Sequence, residues 1–233
     1  MGEADLKFRH WALELEGPLA ADAIDGDFVP IGMLVGSQGI MIRRYTVLPD
    51  ASAGPYEWVN VDLLREGMRE RLRTTLVAEL MICWDGWELH CLLALIALTG
   101  TDYSRGFPLV RPRKIWEIRS ALLPILTCEC LRFEAGRPFL DPPATAKLLY
   151  GAVYSSVFSS HVTGARELRG VAQRIALSKL SQRTKAALPT HERAACTAKN
   201  ASFVLAYWLG LEPDSMAPCY GFREREGVVE WDE

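Results

Sequence analysis

Apolar residues recur at helical spacing at the start of the chain. The stretch EADLKFRHWALELE places them on one side of a predicted helix, which ends at Gly17. The next stretch, PLAADAIDGD, is typical of a buried strand that runs into an acidic loop. IMIRRYTVL alternates and predicts another strand, and LPDASAGP at its end is typical of a surface loop. FVPIGMLVG, before IMIRRYTVL, is compatible with either a short helix or a strand.

Two longer helices follow. VNVDLLREGMRERLRTTLVAELM is amphipathic, with large apolar residues every four positions on one face. Its other face carries four arginines: Arg65, Arg69, Arg71 and Arg73. A solvated surface is the simplest interpretation of these arginines, and contact with nucleic acid is the alternative. LHCLLALIAL is apolar nearly all round, which predicts a buried central helix that ends at Gly100.

The order helix, strand, strand, helix, helix predicts an α/β domain over residues 1–135. RKIWEIRSALLPILTCECL predicts a further helix within it, with a possible break at Pro124. GRPFLDPP is typical of a linker, and the helical patterns beyond it predict an all-helical C-terminal region over residues 136–233.

Composition narrows the function classes. Over 233 residues the formal net charge is −3, so contact with nucleic acid requires a local basic patch. The six cysteines are spread out, and the spacing Cys128-Glu129-Cys130 is not that of a zinc site. This cysteine usage is typical of proteins in a reducing, intracellular compartment. The first residues lack a secretory signal, and the longest apolar run is about half of a membrane span. We therefore expect an intracellular protein that is neither secreted nor embedded in a membrane.

Five carboxylates stand at the ends of predicted elements: Glu3, Asp5, Asp25, Asp27 and Asp102. Carboxylates in such positions converge at one edge of an α/β sheet, beyond the carboxyl ends of the strands. Like charges gathered there repel unless a cation neutralises them, and Mg²⁺ or Mn²⁺ prefers an all-oxygen ligand set. On a strand, Asp25 and Asp27 would point the same way about 6.6 Å apart. That spacing suits two ions about 3.5–4 Å apart.

Each of these carboxylates also has a purely structural interpretation. Glu3 and Asp5 would complement the dipole of the first helix. Asp25 and Asp27 would be turn residues, and Asp102 would cap a helix or hold a turn.

Three motifs resemble those of the flap endonuclease/XPG family of structure-specific 5′ nucleases. They are Gly2-Glu3-Ala4-Asp5, Ala23-Ile24-Asp25-Gly26-Asp27 and Gly100-Thr101-Asp102-Tyr103, in the family's order. The resemblance covers about residues 2–120 and implies a PIN/FEN-like, partial parallel sheet flanked by helices. It implies that the five carboxylates bind two Mg²⁺ or Mn²⁺ ions, with Asp5 replacing a glutamate of the family.

In that family, a helix-hairpin-helix-type turn follows the third motif and grips the DNA backbone, here within about residues 100–120. The resemblance implies phosphate contacts by four basic residues: Arg105, Arg111, Arg113 and Lys114. Arg111 stands where the family has a glycine. The basic side chains would therefore act as point charges on phosphate, in place of a close approach by the backbone.

The chain also departs from the family pattern. Family members carry an earlier region with further metal-binding aspartates and the first strands of the sheet, so the resemblance is to the internal, XPG-I-like half alone. It implies a divergent member, a fragment of the full enzyme, or half of a split protein whose sheet is completed by a separate N-terminal chain or segment. The interval from Asp27 to Asp102 is longer than is usual in the family, which predicts an insertion around residues 46–60.

The leading hypothesis is a Mg²⁺-dependent endo- or exonuclease that hydrolyses phosphodiester bonds in flapped or branched DNA, as in DNA repair. Such an activity implies an intracellular location, with the nucleus as the candidate compartment. One alternative is a catalytically inactive nucleic-acid-binding or scaffold protein that keeps the fold. The other is a PIN-type ribonuclease, which shares the acidic edge and would act on RNA.

Overall fold

The computed structural model describes residues 4–23, 27–36, 39–47, 53–80, 88–101, 117–134, 137–157, 190–210, 222–225 and 228–231. These residues form a mixed α/β structure in which helix dominates. The helices are α1 (Ala4–Glu14), α2 (Phe28–Val35), α3 (Val61–Leu80), α4 (Glu88–Thr99), α5 (Arg119–Ile125), α6 (Pro142–Val157) and α7 (His191–Trp208). The strands are β1 (Leu19–Asp22), β2 (Ile40–Val47), β3 (Ala53–Asn60), β4 (Leu131–Glu134), β5 (Arg137–Leu140), β6 (Phe222–Arg225) and β7 (Val228–Trp231).

The chain divides into two compact units. The first comprises residues 1–74 and 208–210, and the second comprises residues 75–207 and 211–233. This division falls inside α3, whereas the sequence predicts a boundary at residue 135. Strands β4 and β5 pair with each other on either side of that predicted boundary. The functional division at residue 135 stays a prediction.

The first unit is built on a three-stranded sheet in the order β1-β2-β3. β1 is parallel to β2, and β2 is antiparallel to β3, so the sheet is mixed where a parallel one was predicted. β1 is also less buried than predicted, because Ala20 and Asp22 are exposed on one of its faces. The inner face carries Ile40 and Ile42, which are almost completely buried.

β3 occupies much of the segment predicted as a loop or an insertion. Residues 53–60 pair with β2, with Trp58 opposite Arg43 and Tyr56 opposite Tyr45. Pro55 made this stretch look like a loop, but a proline is tolerated on an edge strand, where a missing N–H need not break the sheet. The prediction of a surface loop here is therefore wrong for residues 53–55.

α2 settles the ambiguous stretch between β1 and β2 as a helix. Pro30 lies in its first turn, where the missing backbone N–H would have no partner within the helix in any case. Gly32 allows close packing, since a Cβ there would lie 3.3 Å from Cγ1 of Val61. α2 ends at Gly36, whose φ of 77° is the left-handed conformation common after a helix.

The first unit also contains the turn that follows α7. Arg9 of α1 donates a hydrogen bond from Nη2 to the carbonyl oxygen of Leu209 (2.7 Å), and burial lowers the pKa of Arg9. Gly210 has a φ of 63°, and a Cβ added there would collide with the Arg9 guanidinium. A guanidinium at a helix C-terminus satisfies carbonyl oxygens that lack a partner within the helix.

In the second unit, α4 is the buried helix that its composition predicts. Its residues from Leu89 to Leu98 are buried except for His90, which is half-buried, and Ile96, which is exposed. α5 continues through Pro124 and widens into a π-helical turn over Leu126–Cys130, so the helix is not broken at the proline. Within the described parts of the chain, no helix is long and apolar enough to cross a membrane.

The prediction of an all-helical C-terminal region is wrong in two places. The segment predicted as a linker contains β5, which pairs antiparallel with β4, and then the start of α6. The backbone N–H of Leu140, at the end of β5, donates to Oγ of Ser202 in α7 at 2.8 Å. Near the C-terminus, β6 and β7 form a second antiparallel pair.

Candidate functional site

Asp5 lies in the first turn of α1, at the end of the helix face that packs into the protein. Phe8 and Ala12 continue that face and are 2% and 3% exposed, and Asp5 itself is 2% exposed. A carboxylate in such a position loses hydration, although the positive end of the helix dipole partly compensates for the loss. The position of Asp5 therefore requires a compensating partner or a bound cation when the carboxyl is charged.

Asp27 is the residue before α2, and its carboxylate does not serve the helix. The Asp27 carbonyl oxygen accepts the N–H of Ile31 (3.1 Å), but the side chain makes no capping hydrogen bond. An aspartate at this position usually accepts an N–H of the first turn. The side chain is nevertheless buried, with the residue 6% exposed. Its backbone is helical, with φ −72° and ψ −21°.

This conformation corrects part of the sequence-based geometry. β1 ends at Asp22, so Asp27 lies beyond the strand and not on it. The spacing expected for two aspartates on one strand does not apply to Asp27. Its position after the carboxyl end of a strand is the one expected for a site residue of an α/β fold.

An aromatic contact joins the two segments that carry Asp5 and Asp27. The rings of Phe8 and Phe28 lie 4.9 Å apart at an angle of 33°. Phe8 is three residues after Asp5 and so shares its side of α1, and Phe28 directly follows Asp27. The structure therefore buries one carboxylate in the first turn of α1 and another just before α2, and a ring contact joins these two helices.

The remaining predicted site residues lie outside the described residues. They are Glu3, Asp25, Asp102, Arg105, Arg111, Arg113 and Lys114. The chain leading to Asp102 is described: α4 ends at Thr99, and Gly100 follows with a φ of 102°. Among the described residues there is no group of three or more His, Cys, Asp or Glu side chains that could hold a metal ion. The ligand set therefore stays a prediction.

One predicted surface arginine is in fact buried. Arg65 in α3 is only 8% exposed and donates from Nη2 to Oδ1 of Asp62 at 2.8 Å. The other carboxylate oxygen of Asp62 accepts the backbone N–H of Gly39 at 2.6 Å. Arg65 thus belongs to a structural network at the start of α3, while Arg71 and Arg73 are exposed as predicted.

The exposed face of the sheet carries a cluster that the sequence did not reveal. Arg43 in β2 forms an ion pair with Asp22 in β1. Its guanidinium lies over two rings of β3, 5.1 Å from the ring centre of Tyr56 and 5.8 Å from that of Trp58. The register of three strands brings these four residues together. The sequence could show only that alternate residues of each strand share a face, which does not reveal the cluster.

Four cysteines lie among the described residues, and none of them is disulfide-bonded: Cys91, Cys128, Cys130 and Cys196. Burial raises the pKa of Cys130 to about 12, so its thiol is protonated at neutral pH and is a poor nucleophile. Thr127 donates a hydrogen bond to the sulfur of Cys91 (3.1 Å) within the core.

Comparison of the chain with protein-family models, with curated proteins and with solved structures found no match.

Proposed function

We propose that this chain is part of a metal-dependent nuclease that hydrolyses phosphodiester bonds in flapped or branched DNA. The observation that supports the proposal is the burial of Asp5 and Asp27 at two adjoining helix starts held by the Phe8–Phe28 contact. An aspartate that serves only the N-terminus of a helix normally faces solvent, because burying a carboxylate is unfavourable. The resemblance to the flap endonuclease/XPG family supplies the substrate class.

The donor chemistry of the two described carboxylates fits a hard divalent cation. Mg²⁺ and Mn²⁺ take oxygen ligands, and a bound cation would offset the desolvation of both side chains. We assign Glu3, Asp5, Asp25, Asp27 and Asp102 as the ligands of two such ions. When bound, the ions would stabilise charge on the attacking and leaving oxygens of the phosphodiester.

The protein's own residues have two tasks in this proposal. The carboxylates would hold the ions, and the contact between Phe8 and Phe28 would fix α1 relative to α2, next to the positions of Asp5 and Asp27. Arg105, Arg111, Arg113 and Lys114 hold the strand through its phosphates, which positions the DNA without reading its sequence.

We also propose that a further segment, upstream in the same gene or on a separate chain, completes the sheet. The strand order leaves β1 at one edge, paired only with β2 among the described strands. An edge strand offers unpaired backbone N–H and C=O groups to an added strand.

Metal binding and cleavage test the proposal together. Mn²⁺ affinity would be measured by calorimetry, and cleavage would be followed on labelled 5′-flap DNA with Mg²⁺, for this chain alone and for a version extended upstream in its gene. Asp5→Asn and Asp102→Asn should each weaken Mn²⁺ binding and reduce cleavage, because each removes a charged ligand. Glu14→Gln, an exposed carboxylate on the same helix as Asp5, is the matched control and should change neither.

Each possible outcome has a defined meaning. Cleavage of the DNA flap by the extended protein, with less cleavage by its Asp102→Asn variant, supports the nuclease proposal. Manganese binding with cleavage of single-stranded RNA alone points to the ribonuclease alternative. If the extended protein neither binds Mn²⁺ nor cuts the flap, the nuclease proposal is wrong.

A further inference from the structure

We propose that the exposed face of the sheet in the first unit binds unpaired nucleotides of a single-stranded nucleic acid. The surface consists of Asp22, Arg43, Tyr56 and Trp58 and is named the aromatic–arginine surface below. It contains none of the proposed metal ligands. The inference goes beyond the proposed nuclease activity, and binding can be measured without cleavage.

The strand register builds this surface as a row across the sheet. Arg43 is paired with Asp22 on one side and with Trp58 on the other. Tyr56 lies two residues before Trp58, so both rings project from the same face of β3. Tyr56 is 55% exposed and Trp58 is 50% exposed, which is unusual for such large rings on a folded domain.

The spacing of the two rings suits consecutive unstacked bases. Residues two apart on a strand are separated by about 6.6 Å along the chain. Single-stranded nucleic acid is commonly bound by exposed aromatic rings on a sheet, which stack on the flat faces of its bases. Both residues remain about half exposed although the Arg43 guanidinium lies over their rings.

The charge of Arg43 complements the strand that joins such bases. A guanidinium between two stacking positions is placed to meet the connecting phosphate, and Arg also stacks on bases and aromatic rings. In the free protein Arg43 is paired with Asp22, whose side chain is 47% exposed. Phosphate would therefore compete with the Asp22 carboxylate for the same guanidinium. Removing the charge of Asp22 should then tighten the binding of nucleic acid.

The test measures the affinity of purified protein for a fluorescein-labelled oligo(dT) by fluorescence anisotropy in EDTA. Without divalent ions the result does not depend on metal binding or cleavage, so failure here and failure of the nuclease proposal are separate results. Trp58→Ala should weaken binding roughly 5- to 150-fold, since stacking on one base is worth about 1–3 kcal/mol. Oligo(U) should behave alike, and duplex DNA should bind more weakly because its bases are already stacked.

The charged residues give opposite expectations. Arg43→Gln should weaken binding and reduce the slope of log Kd against log salt by about one. Asp22→Asn should tighten binding, by up to about fivefold, because it releases Arg43 from an exposed ion pair. A purely structural role of the cluster would predict that Asp22→Asn has no effect or a harmful one.

Two further variants guard against misfolding. Trp58→Phe keeps an aromatic ring and should retain most of the affinity, and thermal melting would confirm that each variant is folded. Trp11→Ala is the matched control, since Trp11 is 51% exposed on α1 away from any described cation–π contact. The proposal is overturned if Trp58→Ala and Tyr56→Ala are folded and bind oligo(dT) as the wild type does, or if Trp11→Ala loses as much affinity.

Discussion

Two of the described helices directly follow an aspartate, and the two aspartates behave differently. Asp141, before α6, accepts the N–H of Ala144 at 2.8 Å and is half-buried, as an ordinary capping residue is. Asp27, before α2, is more deeply buried and makes no such bond with its side chain. An aspartate before a helix thus caps that helix in the second unit, whereas in the first unit its side chain makes no capping hydrogen bond. A carboxylate that is buried without serving its own helix is the better candidate for a ligand.

The largest expected effect is on stabilisation by Mn²⁺, which should depend on Asp27 and not on Asp141. Mn²⁺ at about 100 times its Kd should stabilise the wild type by about 2.7 kcal/mol, seen as a higher Tm. Asp27→Asn should abolish this rise, because a neutral amide is a weaker ligand. Asp141→Asn should keep it. An equal Mn²⁺-induced rise in both variants would remove the distinction between the two sites.

A smaller effect is expected from the ring that supports Asp27. Phe28→Leu should weaken Mn²⁺ binding about tenfold, since residues that hold a ligand in place affect affinity on that scale. Phe133→Leu is the control, because Phe133 is also half-buried and makes an edge contact with His90 at 5.5 Å. Both variants should lose similar stability, and calorimetry should show weaker Mn²⁺ binding in Phe28→Leu alone. Equal affinities would indicate that the ring contact does not position Asp27.

The smallest effect concerns stability without metal. Asp141→Ala should lower the free energy of unfolding by about 1 kcal/mol, because it removes a helix cap. Asp27→Asn should lower it less, since it removes no helix cap. Urea unfolding in EDTA measures both. A greater loss for Asp27→Asn would mean that this carboxylate is a structural group after all.

Strong periodic patterns in the sequence predict several of the helices correctly. Single prolines, by contrast, led to two strands being interpreted as loops. α1, α3 and α4 have long apolar faces that local sequence reveals. β3 and β5 were missed because Pro55 and Pro138 suggested loops, although pairing with β2 and β4 overrides that preference.

The candidate site shows the same limit. Asp5 and Asp27 were singled out from motifs, but their burial depends on how α1 packs against α2. Arg65 follows the same sequence pattern as exposed arginines, which predicts a position in solvent. In the structure it is buried and donates a hydrogen bond to Asp62. The aromatic–arginine surface depends on the register of three strands, which no single segment encodes.

The hydrogen bond from Arg9 to Leu209 has a consequence for how the protein is made. The first unit closes with residues 208–210, although the rest of it ends at residue 74. During synthesis, the last contact of the N-terminal part can therefore form only after residues 208–210 have been made. Contacts between residues so distant in sequence slow folding, because a long loop has to close first. A fragment that stops at residue 135 would lack this contact, and the Arg9 guanidinium would be left to water.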